Sequence, residues 1–283
     1  MRGRRPKTYA EPYPESAELS SGFFDSEEIH PSAIIHKNTI IGKDVSIGPY
    51  SIIGDGVRIG DRTKIGPHVV IYGPTEIGDD CIFYQFSAIG GLPQDLKYKG
   101  DDTKIRIGNR NIFREFVTIH RASSYGTGET VIGDDNYLMA YVHIAHDCRL
   151  GNSIIMSNSA TLGGHIEIED YAIVGGLSAI HQFTRIGVYA MVGGCSAIVQ
   201  DVPPYTTAVG NRAKLYGLNL IGLRRHGFSE NTISTLKKAY KIIFQSKLTL
   251  KVAIKRVREE IKGSMEVDHL LRFIEKSERG ICR

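Results

Sequence analysis

The stretch LMAYVHIAHDCRLG, residues 138–151, contains two histidines three positions apart, His143 and His146, and Asp147 follows directly. Imidazole gains and loses protons near neutral pH, and an adjacent carboxylate can orient the ring and stabilise its cation. The same side chains are also common metal ligands. Because a structural repeat has no use for them, they indicate a catalytic base or a metal site, which the surrounding elements must position.

The composition is that of one large domain, or one domain with an appendage, in a reducing compartment. The 283 residues are 41% hydrophobic, lack tryptophan and include 31 glycines, which suit close-packed turns. Cys81, Cys148, Cys195 and Cys282 lack the CxxC spacing of a zinc ribbon or disulfide framework. No apolar run approaches the ~20 residues that span a bilayer, and the N-terminus lacks the apolar core of a secretory signal. These features predict a cytoplasmic protein without stable membrane insertion.

An aliphatic or aromatic residue recurs every six positions from Ile29 to Ile89 and, after a phase shift, from Ile132 to Ile198. This period is neither the 3.6 of a helix nor the alternation of a strand, and it matches hexapeptide β-helix repeats. Each hexad supplies a short strand and a turn, three hexads close a triangular coil, and stacked coils lie roughly 4.8 Å apart. The sequence therefore predicts a mainly β protein, a parallel β-helix, whose left hand is implied by resemblance to hexapeptide-repeat proteins.

Two interruptions of the hexads predict loops extruded near residues 92–104 and 121–130. Insertions in a solenoid commonly lie on its binding face. The first carries a polar cluster that includes Gln94, Asp95 and Lys97.

The repeats stop near Pro203 and Pro204, which cannot continue a strand ladder. The segments SENTISTLKKAYKIIFQS, TLKVAIKRVREEIKG and EVDHLLRFIEKSERG then predict helices, with Ser229 as the N-cap of the first. We expect a flexible N-terminal extension over residues 1–28, a β-helix over 29–210 and a small α-helical C-terminal domain over 211–283.

The charge is asymmetric, because residues 212–283 carry 17 lysines and arginines against 7 acidic residues. A basic C-terminal part suggests an acidic partner. Nucleic acid is one candidate, although basic residues at helical spacing are more often a solvated surface, and the sign alone does not decide.

Stacking places four histidines in one patch, because residues 18 apart lie above one another in a coil of three hexads. The segments AHDCR, GGHIE and HQFTR, which follow Ile144, Leu162 and Ile180, stack in this way, and Gly164 should lie between His146 and Gln182. We call the four histidines the histidine patch: His143, His146, His165 and His181.

The histidine patch suits metal binding, general-base catalysis or a structural ladder. A single histidine is more often structural, but four beside glycines that allow close approach favour chemistry. The nucleophile motif GxSxG and the phosphate-binding motif GxxxxGK[ST] are both absent from the sequence.

The motifs HIAHDC, GGH, HQF, VGGCS, QDVPPY, GNRAKLYGLN and GLRRHGF occur in this order, and over about residues 29–260 the chain closely resembles the UDP-N-acetylglucosamine O-acyltransferases that begin lipid A biosynthesis. The resemblance implies transfer of an (R)-3-hydroxyacyl group from acyl carrier protein to the 3-hydroxyl of the sugar. It implies that His146 is the general base, that Asp147 orients its ring and that the Gly164 backbone N–H binds the oxyanion. It further implies that no covalent enzyme intermediate, cofactor or metal takes part.

The resemblance also implies substrate-binding positions, among which Gly194 limits the length of the acyl chain and leaves room for a long one. One departure is His226, which stands where the family often has a second basic residue after Arg225. The remaining binding positions are Gln94, Asp95, Lys97, His143, His165, His181, Gln182, Asn219 and Arg225.

The implied partners are acyl carrier protein, which is acidic and matches the basic C-terminal domain, and UDP-N-acetylglucosamine, with no nucleic acid. The family is trimeric, so a homotrimer is expected. The sequence leaves open the acyl chain length and a 3-amino analogue as acceptor.

Three rival interpretations remain. A γ-type carbonic anhydrase would need three imidazoles about 2.0–2.1 Å from zinc, and it has no need of the basic domain. A non-catalytic hexapeptide scaffold would have repeat-like residues in place of His146 and Asp147. A serine O-acetyltransferase shares the repeat but not the acceptor motifs.

Overall fold

The computed structural model describes residues 29–283, so the flexible extension predicted for residues 1–28 lies outside the described residues. Short parallel strands stack into the three faces of a triangular prism, and a group of helices follows. Each face is named here by its number of strands.

The nine-stranded face consists of β1 (Ile34–Ile35), β4 (Ile52–Ile53), β7 (Val70–Ile71), β10 (Ala88–Gly91), β13 (Thr118–His120), β16 (His143–Ile144), β19 (Thr161–Leu162), β22 (Ala179–Ile180) and β25 (Ala197–Ile198). The eight-stranded face consists of β2 (Ile40–Ile41), β5 (Val57–Ile59), β8 (Thr75–Ile77), β11 (Lys104–Ile107), β14 (Glu129–Ile132), β17 (Arg149–Leu150), β20 (Glu167–Ile168) and β23 (Arg185–Ile186). The ten-stranded face consists of β3 (Ser46–Ile47), β6 (Lys64–Ile65), β9 (Ile82–Phe83), β12 (Ile112–Phe113), β15 (Tyr137–Leu138), β18 (Ile155–Met156), β21 (Ile173–Val174), β24 (Met191–Val192), β26 (Thr206–Val209) and β27 (Lys214–Leu218).

The second residue of a typical strand points inward and forms the core of the prism. Ile144 pairs with Leu162 and Leu162 with Ile180, so the register between these coils is the 18 residues expected from the repeat. These three side chains are at most 3% exposed. Since fully burying such a side chain contributes about 1.5–3 kcal/mol, one aliphatic residue per hexad holds the coils together.

Most turns between faces contain one non-glycine residue in the left-handed backbone region, such as Asp147 with φ 61° and His165 with φ 59°. The glycines of the repeat serve a different purpose, which is close approach between coils. A Cβ added to Gly48 would lie 2.7 Å from the backbone nitrogen of Pro67 in the next coil. Side chains at the turns are therefore held in fixed directions, one above another.

The parallel ladder ends at β26, which pairs antiparallel with β27. The helices are α1 (Leu220–Arg225), α2 (Glu230–Tyr240), a π-helix (Lys241–Gln245), α3 (Leu250–Glu260) and α4 (Met265–Glu275). Ser229 caps α2 as predicted, because its side chain accepts from the Thr232 N–H. The hairpin and α1 were not predicted.

The helices form a second hydrophobic core, to which Leu236, Val257 and Leu270 belong, and they dock against the prism. His269 of α4 lies 2.8 Å from Glu169 of the β-helix, and Glu169 also accepts from the Val188 N–H. Between Ile29 and Arg283, no helix has the length and apolar character needed to cross a membrane.

Candidate active site

The histidine patch lies where the chain turns from the nine-stranded to the eight-stranded face, an edge that we call the histidine corner. His143 is on β16 and His146 follows that strand, while His165 and His181 follow β19 and β22. Because β16, β19 and β22 are hydrogen-bonded neighbours, the four histidines come together as the repeat predicts. Both interruptions of the repeat also leave the prism at this corner, as loops over residues 92–103 and 121–128.

His146 and Asp147 form a hydrogen-bonded pair. Nδ1 of His146 lies 2.8 Å from Oδ2 of Asp147, and the imidazole is 12% exposed while the carboxylate is buried. The left-handed turn at Asp147 directs its side chain back toward the ring, and its N–H donates to Thr130 Oγ1 at 2.9 Å. A proton on Nδ1 leaves Nε2 as the atom that can accept one.

Asp147 remains ionised although it is buried. Burial alone would raise the pKa of its carboxyl, but hydrogen bonds from His146 and Ser123, together with His165, outweigh that effect and lower the pKa. The anion can therefore hold the His146 ring in one orientation and stabilise an imidazolium.

Gly164 lies directly on the His146 ring, and the predicted stacking is confirmed. A Cβ added to Gly164 would be 2.6 Å from Cε1 and 2.7 Å from Nε2 of His146. The Gly164 carbonyl accepts from Phe183, but its N–H makes no hydrogen bond to any residue in the described part of the chain. The site thus combines a proton acceptor with an adjacent N–H donor.

His165 completes the inner part of the site. Its ring stacks on Phe183 at 4.4 Å and meets the His146 ring edge to face at 5.0 Å. Burial lowers the pKa of His165, and Asp147, whose Oδ2 lies 3.9 Å from Nε2, opposes that shift. His165 is therefore mainly neutral and can act as a hydrogen-bond partner of a substrate.

His120 is a residue of this site that the sequence analysis missed. Its ring lies 5.2 Å from the ring of His143, and its Nδ1 lies 2.7 Å from the Leu92 carbonyl oxygen. Ile119 pairs with Ile144, so His120 occupies the same position in its coil as His181 does three coils later. The stacking rule would have found His120 had it allowed for the second interruption, which puts Ile119 and Ile144 25 residues apart instead of 18.

His143 should lower the stability of the protein in weak acid. Burial lowers the pKa of His143 from 6.5 to about 4. Between these two values the unfolded chain binds a proton that the folded protein does not, so the free energy of unfolding falls as pH drops from about 6.5 to about 4. Thermal unfolding at several pH values should show this loss.

The His143→Gln variant is the control, because it lacks the titrating imidazole of His143 and keeps all other titrating groups. We expect the variant to lose less stability than the wild type between pH 7 and pH 4. Parallel curves for the two proteins would contradict the assignment.

His181 and Gln182 line the groove above the inner site, where both are exposed. Nδ1 of His181 lies 3.1 Å from the Gln182 carbonyl oxygen. A cavity of about 440 Å³ extends from His181 toward the helical end and is lined there by Arg212 and Arg279. This cavity therefore offers space and positive charge next to His181.

The first loop carries Gln94, Asp95 and Lys97 beside this groove. Asp95 Oδ1 accepts from the Lys97 N–H at 2.9 Å, and the charge of Asp95 acts on His165. Gln94 and Lys97 are exposed. The structure thus brings Asp95 to the histidine patch and leaves Gln94 and Lys97 turned to solvent.

Asn219 and Arg225 lie at a different edge, where the eight-stranded face turns into the ten-stranded face beside the helices. Asn219 caps α1 through the Gly222 N–H and donates to the Tyr189 carbonyl oxygen at 3.0 Å. His226 lies next to Arg225 and packs edge to face on Tyr189 at 5.0 Å, and burial lowers the pKa of this histidine. In the folded chain, these residues are separated from His146 by the eight-stranded face.

Gly194 is at the third edge of the prism. It precedes Cys195 in the turn that leads into β25, whereas His181 and Gln182 leave the far end of neighbouring β22. The nine-stranded face therefore separates Gly194 from the histidine patch of the same chain.

One cluster could hold a metal ion. Ligand atoms of His146, Asp147 and His165 all lie within 4.8 Å of one another. The set offers two imidazoles and one carboxylate rather than the three imidazoles of a carbonic anhydrase. The Asp147 carboxylate also accepts hydrogen bonds from N–H and O–H groups of the protein. This arrangement favours a hydrogen-bonded pair of His146 and Asp147 over a set of metal ligands.

Comparisons with known proteins agree with the fold and the motifs. The family described as Udp N-acetylglucosamine O-acyltransferase, Domain 2, matches residues 201–282, and Bacterial transferase hexapeptide (six repeats) matches residues 28–61 and 56–91. The acyl-[acyl-carrier-protein]–UDP-N-acetylglucosamine O-acyltransferase of Thermodesulfovibrio yellowstonii is 61% identical over 256 residues, covering 90% of this chain and 99% of the relative.

Solved structures are also similar to this chain. LpxA from Acinetobacter baumannii superposes with a TM-score of 0.88 at 47% identity, covering 90% of this chain and 99% of that one. The UDP-N-acetylglucosamine acyltransferase of Arabidopsis has a TM-score of 0.80 at 38% identity, covering 90% of this chain and 100% of that one.

The fold and site define a hexapeptide-repeat acyltransferase, and the predicted left-handed parallel β-helix with a small helical C-terminal domain is confirmed. More specifically, the chain belongs to the acyl-[acyl-carrier-protein]–UDP-N-acetylglucosamine O-acyltransferase family. The carbonic anhydrase and scaffold alternatives are not favoured.

Proposed function

We propose that this enzyme transfers an (R)-3-hydroxyacyl chain from acyl carrier protein to the 3-hydroxyl of UDP-N-acetylglucosamine, the first step of lipid A biosynthesis. The observation that carries the mechanism is the hydrogen-bonded pair of His146 and Asp147 with the uncommitted Gly164 N–H beside it. The relatives named above support the choice of substrates.

In the proposed mechanism, Nε2 of His146 takes the proton of the sugar hydroxyl as its oxygen attacks the thioester carbonyl. Asp147 holds the ring and stabilises the imidazolium. The Gly164 N–H stabilises the oxyanion of the tetrahedral intermediate. Collapse breaks the carbon–sulfur bond, and the thiol of acyl carrier protein leaves with the proton from His146. The hydroxyl attacks directly, so no covalent enzyme intermediate forms.

The remaining positions would bind the substrates. His143, His165, His181 and Gln182 line the groove around the reacting atoms, and Asp95 faces it from the first loop. We propose that Gln94 and Lys97, on the same loop, contact the bound substrate. Asn219 and Arg225 would bind its nucleotide. Gly194 would limit the acyl chain, with space for a long one.

The C-terminal domain is the proposed docking surface for acyl carrier protein. Its surplus of lysine and arginine is partly neutralised by pairs such as Lys238 with Glu260 and Arg258 with Glu275. Exposed lysines without an ion pair among residues 29–283 include Lys241 and Lys251. Such a surface would speed the encounter with an acidic protein, and added salt would slow it.

We further propose that the working enzyme is a homotrimer. The proposed substrate residues lie at three separate edges of one prism, so one protomer cannot enclose a substrate with all of them. Packing of three prisms side by side would bring edges of different protomers together. A second feature supports this, since an exposed ladder of stacked rings runs along the edge that carries Gly194: Tyr50, His68, Phe86, Phe116 and Tyr141.

Phe86→Glu should separate the protomers. Phe86 is 48% exposed in one protomer and stacks between His68 and Phe116 at 5.2 and 5.1 Å. A carboxylate buried there without a partner would cost several kcal/mol at each contact. Sedimentation equilibrium should show a fall from three times 31.3 kDa to 31.3 kDa.

Tyr216→Glu is the matched control, since Tyr216 is 76% exposed but lies on β27, away from the ladder. It should leave the mass unchanged. A monomeric wild type, or a trimeric Phe86→Glu, would exclude this interface.

The reaction itself is tested with (R)-3-hydroxyacyl carrier proteins of several chain lengths and UDP-N-acetylglucosamine, following thiol release and acylated sugar nucleotide. Parallel assays use the 3-amino analogue and EDTA. We expect ester formation that EDTA does not inhibit. Absence of product with every donor would refute the proposed function, whereas product only with the amine would change the acceptor.

A further inference from the structure

The second loop, residues 121–128, folds over the carboxylate of Asp147. Ser123 is fully buried, although the four residues after it are exposed. Its N–H and its hydroxyl both donate to Asp147 Oδ2, at 3.0 and 2.8 Å. The Thr127 N–H donates to Oδ1 at 3.1 Å. Both carboxylate oxygens are therefore held by a segment that the repeat itself does not require.

Gly126 shows how closely the loop approaches. A Cβ added there would overlap Oδ1 of Asp147. Gly126 does not have a left-handed backbone conformation, so glycine is required at this position for lack of space and not for its backbone angles. The loop is anchored in turn, because the Ser124 N–H donates to Asp101 of the first loop at 3.0 Å. The two loops thus form one support behind the carboxylate.

Oδ2 of Asp147 is also the oxygen that faces Nδ1 of His146, at 2.8 Å. An oxygen that already accepts two hydrogen bonds is less basic and fixed in direction. It can hold a proton on Nδ1 of His146 without taking it. The ring is then kept in the tautomer whose Nε2 is free to accept the proton of a substrate.

We propose that Ser123 is a positioning residue for the general base. Its hydroxyl and N–H hold Oδ2 of Asp147 in the place and charge state that orient His146. This inference rests on the proposed function, in which His146 is the base.

Ser123→Ala removes one of the donors to Oδ2. We expect kcat to fall about tenfold to a hundredfold, the usual effect of losing a hydrogen bond to a charged group, with KM for both substrates unchanged. The remaining carboxylate is more basic and holds the imidazolium more strongly, so the low-pH limb of the kcat profile should move to higher pH. A merely structural loss would not move that limb.

Ser123→Thr keeps the hydroxyl and should recover most of the wild-type rate and pH profile. Ser124→Ala is the matched control, because Ser124 is the exposed neighbour and only its backbone N–H is used. If Ser123→Ala does not fold, Ser123→Cys keeps the volume while donating only weakly, and it should show the same shift.

The outcomes separate this inference from the proposed function. If His146→Ala abolishes turnover but Ser123→Ala keeps the wild-type kcat and pH profile, Ser123 has no positioning role. If His146→Ala remains active, the assignment of the base is wrong, and the proposal for Ser123 falls with it.

Discussion

His146→Ala should abolish acyl transfer, lowering kcat about a thousandfold or more, since a positioned general base contributes about 10²–10⁴. The neighbouring His165 is not placed to replace it, because Nε2 of His146 lies against Gly164, whereas the His165 ring is turned edge on to His146 and stacked on Phe183. KM should change little, since the ring acts mainly on the reacting proton. Single-turnover acyl transfer is the measurement.

The control for this experiment is His36→Ala. His36 lies in the first coil of the prism, on the edge that forms the histidine corner but many coils away from the site, and it faces Asp55 at 3.1 Å. It should leave turnover unchanged. EDTA should also have no effect on the wild type, and a loss of activity that zinc restores would instead support the cluster of His146, Asp147 and His165 as a metal site.

Gly164→Ala should be nearly as damaging without removing any functional group. The new Cβ would lie 2.6 Å from Cε1 of His146, so the imidazole must turn away from its position. The methyl group would also crowd the N–H proposed to bind the oxyanion. Loss of one such donor typically costs on the order of 10²–10³ in turnover, and displacement of the base adds to it.

Gly54→Ala provides the comparison for a glycine beside the same corner but coils away from the site. Its added Cβ would lie 3.2 Å from the Ile71 carbonyl oxygen, which a small shift relieves. The melting temperatures of both variants should stay near that of the wild type. A Gly164→Ala enzyme with normal kcat would show that neither the N–H nor the ring position matters.

Much of the architecture follows from the sequence because a solenoid repeats one local rule. Each inward aliphatic residue is buried by its own coil and its neighbours, so a six-residue spacing specifies strand, turn and register together. The same rule placed Gly164 on His146 and collected the histidine patch. The division proposed at residues 210 and 211 falls between β26 and β27, where the parallel ladder gives way to a hairpin.

The rest of the architecture could not be predicted from the sequence, because it depends on contacts that do not follow the repeat. The hairpin of β26 and β27 and the short helix α1 depend on packing at the end of the prism, and no residue spacing in the sequence indicates them. His120 was missed because the second interruption of the repeat separates it from the histidine patch along the chain, although its position relative to Ile119 repeats that of His181 relative to Ile180.

By itself, then, the sequence determined the solenoid, the helical appendage and the histidine patch, since each arises from local spacing that one chain carries along its length. Only the tertiary structure decided what surrounds Asp147. Ser123, Gly126 and Thr127 come from an extruded loop, and their direction depends on where two loops meet over the prism. Likewise, only the structure separated Gly194 and Asn219 from His146, because a repeat defines a coil position but the closed prism defines which edge that position occupies.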